Sequence, residues 1–142
     1  MKVKYLKLKN WLLVSLSGLL GFNLSCVRVD EYGCPEANFN VKGKVTAPNG
    51  TPIPGIQVEM DSYGPRDTTD ADGQYSVTSM SFPQTQTFNI AFSDIDSIEN
   101  GLYKNDTVPV TFQRTEITGG DGHWYEGSAT KTLNVTLQPK EE

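Results

Sequence analysis

From Asn38 onward the chain alternates apolar and polar residues with a period of two, and that period dictates strands. Phe39, Val41, Gly43 and Val45 fall between Asn40, Lys42, Lys44 and Thr46. Successive side chains of an extended backbone point to opposite faces, so one face of this segment is apolar and the other polar. Ile56, Val58 and Met60 repeat the pattern against Gln57, Glu59 and Asp61, and Phe88, Ile90 and Phe92 repeat it around Asn89 and Ala91. Val108, Val110 and Phe112 give a further strand, with Pro109 marking an edge or a bulge. Leu133, Val135 and Leu137 give the last, with Thr132, Asn134 and Thr136 facing outward. Shorter runs at Asp67–Thr69 and around Tyr75 and Val77 complete the set.

Turn signals separate these runs. Pro48-Asn49-Gly50, Tyr63-Gly64-Pro65, Asp70-Ala71-Asp72-Gly73 and Phe82-Pro83 all fall between apolar stretches. No segment past Cys26 carries an i, i+3, i+4, i+7 apolar series long enough for a helix. About seven short strands at such spacing predict an all-β fold: a seven-stranded antiparallel, Ig-like β-sandwich.

The first 25 residues follow another logic. Lys2, Lys4, Lys7 and Lys9 precede the apolar run Trp11–Phe22. Twelve residues match the apolar segment of a secretory signal and fall short of the roughly 20 that span a bilayer. Asn23-Leu24-Ser25-Cys26 then resembles a bacterial lipobox, although Asn23 stands where that motif usually has Leu. The resemblance implies cleavage before Cys26, acyl chains on its thiol, and anchoring in the outer membrane of a cell envelope. Each buried methylene contributes about 0.8 kcal/mol, so two or three chains hold firmly. The alternative is ordinary signal cleavage with a Cys26–Cys34 disulfide. If Cys26 is lipidated, Cys34 is a free thiol open to modification. The expected division is therefore signal 1–25, acidic tether 26–37 and sandwich 38–142. Asp30 and Glu31, soon after Cys26, resemble the acidic signal that sends some lipoproteins to the cell surface.

Charge and side-chain inventory narrow the function. Beyond the four leading lysines stand 8 basic groups against 17 acidic ones, a net charge of −9 that repels a phosphate backbone and argues against nucleic-acid partners. His123 is the only histidine, so any Ser-His-Asp or Cys-His arrangement would have to use it. No nucleophile motif lies near it, and no enzyme activity is expected. Cys34 and His123 alone are too few ligands for zinc. Calcium is the better candidate: Asp94, Asp96 and Glu99 crowd one loop with hard oxygen donors, against the simpler reading of a solvated acidic turn. The glycine-rich stretch Gly119–Gly127, with Asp121, His123, Trp124 and Tyr125, reads either as a binding loop or as a hairpin connection that covers the end of the core.

Two resemblances add to this. Val41–Thr46, Asn49–Val58 and Asp67–Tyr75 resemble the carboxypeptidase regulatory-like domain, which implies a transthyretin-like, non-catalytic sandwich. Glu31-Tyr32-Gly33-Cys34-Pro35, Phe92–Asp96 with Asn100-Gly101, and Gly119–Gly127 resemble the radical-SAM-associated lipoproteins of Gram-negative bacteria. That likeness implies a radical S-adenosylmethionine enzyme as partner and no known activity. It leaves open a module for a surface protein or glycan, a substrate of that enzyme, and a Ca²⁺-dependent adhesion module.

Overall fold

In the computed structural model, residues 33–96 and 99–141 are described. The signal segment 1–25 and Cys26 lie outside them. The strands are β1 (Glu36–Thr46), β2 (Ile56–Met60), β3 (Arg66–Thr68), β4 (Gln74–Ser81), β5 (Gln86–Asp94), β6 (Asp106–Phe112), β7 (Thr118–Gly119), β8 (Tyr125–Thr132) and β9 (Val135–Thr136). A 3-10 turn, Arg114–Glu116, interrupts them. They form two sheets, ordered β4-β1-β8-β7, with β9 continuing beside β1, and β3-β2-β5-β6.

Alternation places the core between the sheets. Phe39, Val41 and Val45 from β1, Tyr75 and Val77 from β4, and Ala129 from β8 face Ile56, Val58 and Met60, Phe88, Ile90 and Phe92, and Val110 and Phe112. Three phenylalanines from three strands meet at one end: Phe39, Phe88 and Phe112, with ring centroids 5.2–5.9 Å apart and tilted or edge-on. Tilted rings place positive edges toward negative faces, which adds to the burial itself. Tyr75 and Phe92 pair in the same manner at 5.5 Å. The all-β sandwich expected from the alternation is the observed fold.

Three details go beyond the expectation. Strand β1 begins at Glu36, and Ala37 is fully buried, so the end of the stretch read as tether is already sandwich. Among the described residues there are nine strands, of which β3, β7 and β9 are each three residues or fewer. The first sheet is also not wholly antiparallel: β1 runs parallel to β8, from Glu36↔Tyr125 to Lys42↔Thr132, and parallel to β9. Pro109 sits on the edge strand β6, where its missing N–H disrupts no interior ladder.

The passage from β8 to β9 depends on Gly43. The Leu133 carbonyl lies where a Cβ on Gly43 would be, only 1.9 Å from it. Leu133 N–H donates to the Lys42 carbonyl at 2.9 Å, and the Leu133 carbonyl accepts the Tyr75 hydroxyl at 2.7 Å. Only glycine leaves room for this crossing.

Candidate functional site

Gly119–Gly127 is a hairpin connection that leaves an aromatic ring at the surface. Its ends belong to β7 and β8, and Asp121 organises the turn between them. Asp121 N–H donates to the Tyr125 carbonyl at 3.0 Å, and its Oδ1 accepts the His123 N–H at 2.9 Å. A carboxylate that satisfies a nearby backbone N–H holds such a turn closed. His123 itself is exposed. The Tyr125 hydroxyl turns inward along the sheet and accepts from Asn38 Nδ2 at 3.3 Å.

Trp124 joins this hairpin to the start of the sandwich. Its carbonyl accepts the Glu36 N–H at 2.8 Å. Its indole lies over Gly33, with Cδ2 only 3.3 Å from where a Cβ would stand, yet the residue remains 40% exposed. Cys34, next to Gly33, is exposed and pairs with no described residue. Two segments some 90 positions apart in sequence thus form one surface, with a thiol, a half-exposed indole and an imidazole-bearing turn. Trp124 both covers an end of the sandwich and stays available.

Asp94 and Asp96 each use one carboxylate oxygen locally. Asp94 Oδ2 accepts the Tyr103 N–H at 2.8 Å, while Asp96 Oδ2 accepts from Asn100 Nδ2 and packs against Gly55. The second oxygen of each, Oδ1, is buried and has no hydrogen-bond partner. Glu99 is exposed, and among the described residues no three His, Cys, Asp or Glu side chains form a group that could hold a metal ion.

Other features gave no signal in the sequence. An open groove of about 680 Å³ runs along β1 and β4, lined by Lys42, Lys44, Asp67, Asp70, Gln74 and Asn134 among others. Thr69, only 4% exposed, donates to the Ile53 carbonyl at 2.7 Å and accepts the Ile56 N–H at 2.9 Å. It ties the loop after β3 to the start of β2. Burial pushes the Tyr75 hydroxyl well above the usual phenol range.

The described part is therefore an all-β sandwich of two four-stranded layers with an appended short strand, carrying a Trp-bearing hairpin at one end. No protein-family model matches the chain, and no curated protein is detectably similar to it. Solved structures similar to it include a streptococcal ancillary pilin, with TM-score 0.40, 12% identity, 72% of this chain covered and 32% of the pilin. Another is the dioxygenase domain of a dioxygenase–carbohydrate-binding protein fusion from Streptomyces sp. SirexAA-E, with TM-score 0.38, 12% identity, and 75% and 84% covered. A third is a DUF3823 family protein from Parabacteroides merdae, with TM-score 0.34, 18% identity, and 75% and 48% covered. The chain spans about a third of the pilin's length.

Proposed function

We propose that this chain is a non-catalytic lipoprotein of a bacterial cell envelope, held by acyl chains on Cys26 in the outer membrane and presenting its sandwich to a partner at the cell surface. The observation that carries the reading is the junction of Gly33, Cys34 and Trp124. Two of the three segments behind the radical-SAM-associated likeness, the one ending Gly33-Cys34-Pro35 and Gly119–Gly127, meet there. That junction is the natural contact for the radical S-adenosylmethionine enzyme implied as partner, with Cys34 or the His123–Tyr125 turn as the substrate if the enzyme modifies this chain.

Two measurements test it. Cys26→Ala should move the protein from membranes to soluble fractions; a variant that stays in membranes through detergent-free washing overturns the anchor. The intact mass of protein from its native host reads lipid and modification together. A mass of mature chain plus lipid alone leaves the module reading and removes the substrate one.

A second reading, Ca²⁺ binding by an adhesion or glycan-recognition module, draws on the two orphaned oxygens of Asp94 and Asp96. Two carboxylates supply a minority of the 6–8 oxygens Ca²⁺ takes, so water would complete the shell and binding would be weak. A melting temperature unchanged between EDTA and about 5 mM Ca²⁺, a concentration above the millimolar affinity of weak extracellular sites, would remove this reading.

A further inference from the structure

The outer face of the first sheet carries the open groove along β1 and β4. The odd-numbered residues of β1 are turned to the core, so Lys42 and Lys44 stand on the outer face, two positions and about 7 Å apart. Gln74 and Ser76 of β4 lie opposite Lys44 and Lys42, and Thr132 of β8 flanks Lys42 on the other side. The Trp124 hairpin is far from here. Its partner Glu36 precedes Lys44 by eight residues, about 26 Å of extended strand. The groove's volume of about 680 Å³ is that of a small-ligand site, which runs from about 300 to 1,000 Å³.

Hydrogen bonding in this groove is one-sided. Most of its acceptors are taken by the chain's own backbone. Asp67 accepts the Thr68 N–H at Oδ1 and the Ser76 N–H at Oδ2. Asp70 Oδ1 accepts the N–H groups of Asp72 and Gln74, and Asn134 Oδ1 accepts that of Lys44. The donors are idle. Arg66, Arg114 and Lys131 each have a carboxylate partner, whereas among the described residues the Lys42 and Lys44 ammoniums have none. The side-chain N–H groups of Gln74 and Asn134 also meet no described acceptor. An ammonium carries three donors and no acceptor. The groove therefore calls for a ligand rich in acceptors and negatively charged.

We propose that this groove binds a short acidic oligosaccharide, its uronate carboxylates on Lys42 and Lys44 and its hydroxyls on Gln74, Ser76, Thr132 and Asn134. Charge spacing selects the anion. Duplex DNA carries a charge about every 1.7 Å, whereas two ammoniums about 7 Å apart answer the sparser charge of one carboxylate per sugar. The acidic body around the groove repels a long polyanion and so limits the ligand to a short run. The surroundings select a sugar over an acidic peptide. Next to Lys42 on the same face, Asn40 accepts from the Thr78 hydroxyl and donates to Thr130, which links β4, β1 and β8 in one row. Groove and row together offer amides and hydroxyls, and no large apolar side chain is exposed among them. A peptide's apolar side chains would find no pocket there. The inference rests on the reading of this chain as a module that meets a partner at the cell surface. It sets that contact at the other end of β1 from the Gly33–Trp124 junction, and it needs no Ca²⁺.

The test is titration calorimetry of the full chain in detergent and EDTA, with short oligomers of galacturonate, mannuronate and hyaluronan as probes. At least one should bind, and a malto-oligosaccharide of the same length, which has no carboxylate, should bind about tenfold more weakly. Lys42→Gln combined with Lys44→Gln should weaken the acidic probe about tenfold, with the melting temperature unchanged because neither ammonium has a described partner. Lys104→Gln combined with Lys140→Gln removes the same charge from exposed sites outside the groove and should leave the affinity unchanged, since distant surface charges are screened. A chain that binds none of the acidic probes at about 5 mM, enough to fill most of a millimolar site, overturns the proposal. So do equal binding of the neutral oligomer, equal losses in the two double variants, and tighter binding of a polyglutamate peptide. Binding that appears only with Ca²⁺ overturns it too, in favour of the Asp94–Asp96 loop. None of these outcomes bears on the anchor, which Cys26→Ala tests separately.

Discussion

Thr69 is the buried polar side chain on which the second sheet's entrance depends. Its hydroxyl serves the Ile53 carbonyl and the Ile56 N–H at once. Thr69→Val keeps the shape and removes both partners. Each orphaned buried group costs about 1–3 kcal/mol, so the variant should lose about 2–4 kcal/mol in urea unfolding. Thr87, whose hydroxyl faces Thr111 across the exposed side of β5 and β6, should tolerate the same change within about 0.5 kcal/mol. Tyr63 has the opposite sign. It is 94% exposed and sits at φ 67°, a left-handed conformation that costs an L-residue about 1–2 kcal/mol. Its side chain gains little from packing, so Tyr63→Gly should raise stability by about 1 kcal/mol. Tyr75 responds to pH. Its hydroxyl is buried against the Leu133 carbonyl and resists ionisation, so the folded pKa exceeds the unfolded value of about 10. The contribution is whole below about pH 10 and is lost as pH rises above it. Tyr75→Phe should cost about 1 kcal/mol at neutral pH and flatten the alkaline limb of the stability curve. An identical alkaline slope in both proteins would refute this.

Individual strands differ in how plainly the sequence announces them. Strands β1, β2, β5 and β6 were legible because their inward positions hold Phe, Val, Ile and Met, and Pro109 announced an edge. Strand β8 was not. Its inward positions are Gly127, Ala129 and Lys131, too small or too polar to register as an apolar repeat, although it lies between β1 and β7. Its burial comes from a neighbour's bulk: Phe39 stands opposite Ala129. Direction was equally silent, since a period of two is the same in parallel and antiparallel pairs. The candidate site divides likewise. Asp121 beside glycines reads locally as a turn, whereas Trp124 over Gly33 is a contact no local pattern encodes. Gly43 sits in a legible strand for an illegible reason. Gly43→Ala would push a methyl group into the Leu133 carbonyl, which is held by the Tyr75 hydroxyl while the Leu133 N–H is held by the Lys42 carbonyl. It should cost more than about 2 kcal/mol by thermal unfolding. Gly50→Ala, with open space around it and only φ 83° against it, should cost about 1 kcal/mol.

Across the whole molecule, the first strand acquires its partners from the far end of the chain. Asn40 of β1 bonds Thr130, 90 positions away, and Val45 pairs with Val135. Strand β4 can reach β1 through intervening turns, but β8 and β9 arrive only when nearly the whole sequence is present. The fold is consequently rich in non-local contacts, and refolding should fall in the millisecond-to-second range typical of sandwiches. The last strand also closes the core: Val135 and Leu137 are buried, and the Leu137 N–H donates to the Thr46 carbonyl at 3.0 Å. A chain ending at Thr132 keeps every earlier strand, yet it leaves the Tyr75 hydroxyl without the Leu133 carbonyl and uncovers Val45. Losing two large buried side chains, at about 2–5 kcal/mol each, approaches the 5–15 kcal/mol total of an ordinary domain. The truncated chain should therefore show strand-type far-ultraviolet dichroism without a cooperative thermal transition or a near-ultraviolet signal. A sharp transition within about 5 °C of the full chain, the shift expected from roughly 1 kcal/mol in a domain of this size, would mean that β9 is an ornament and not the closing member of the sandwich.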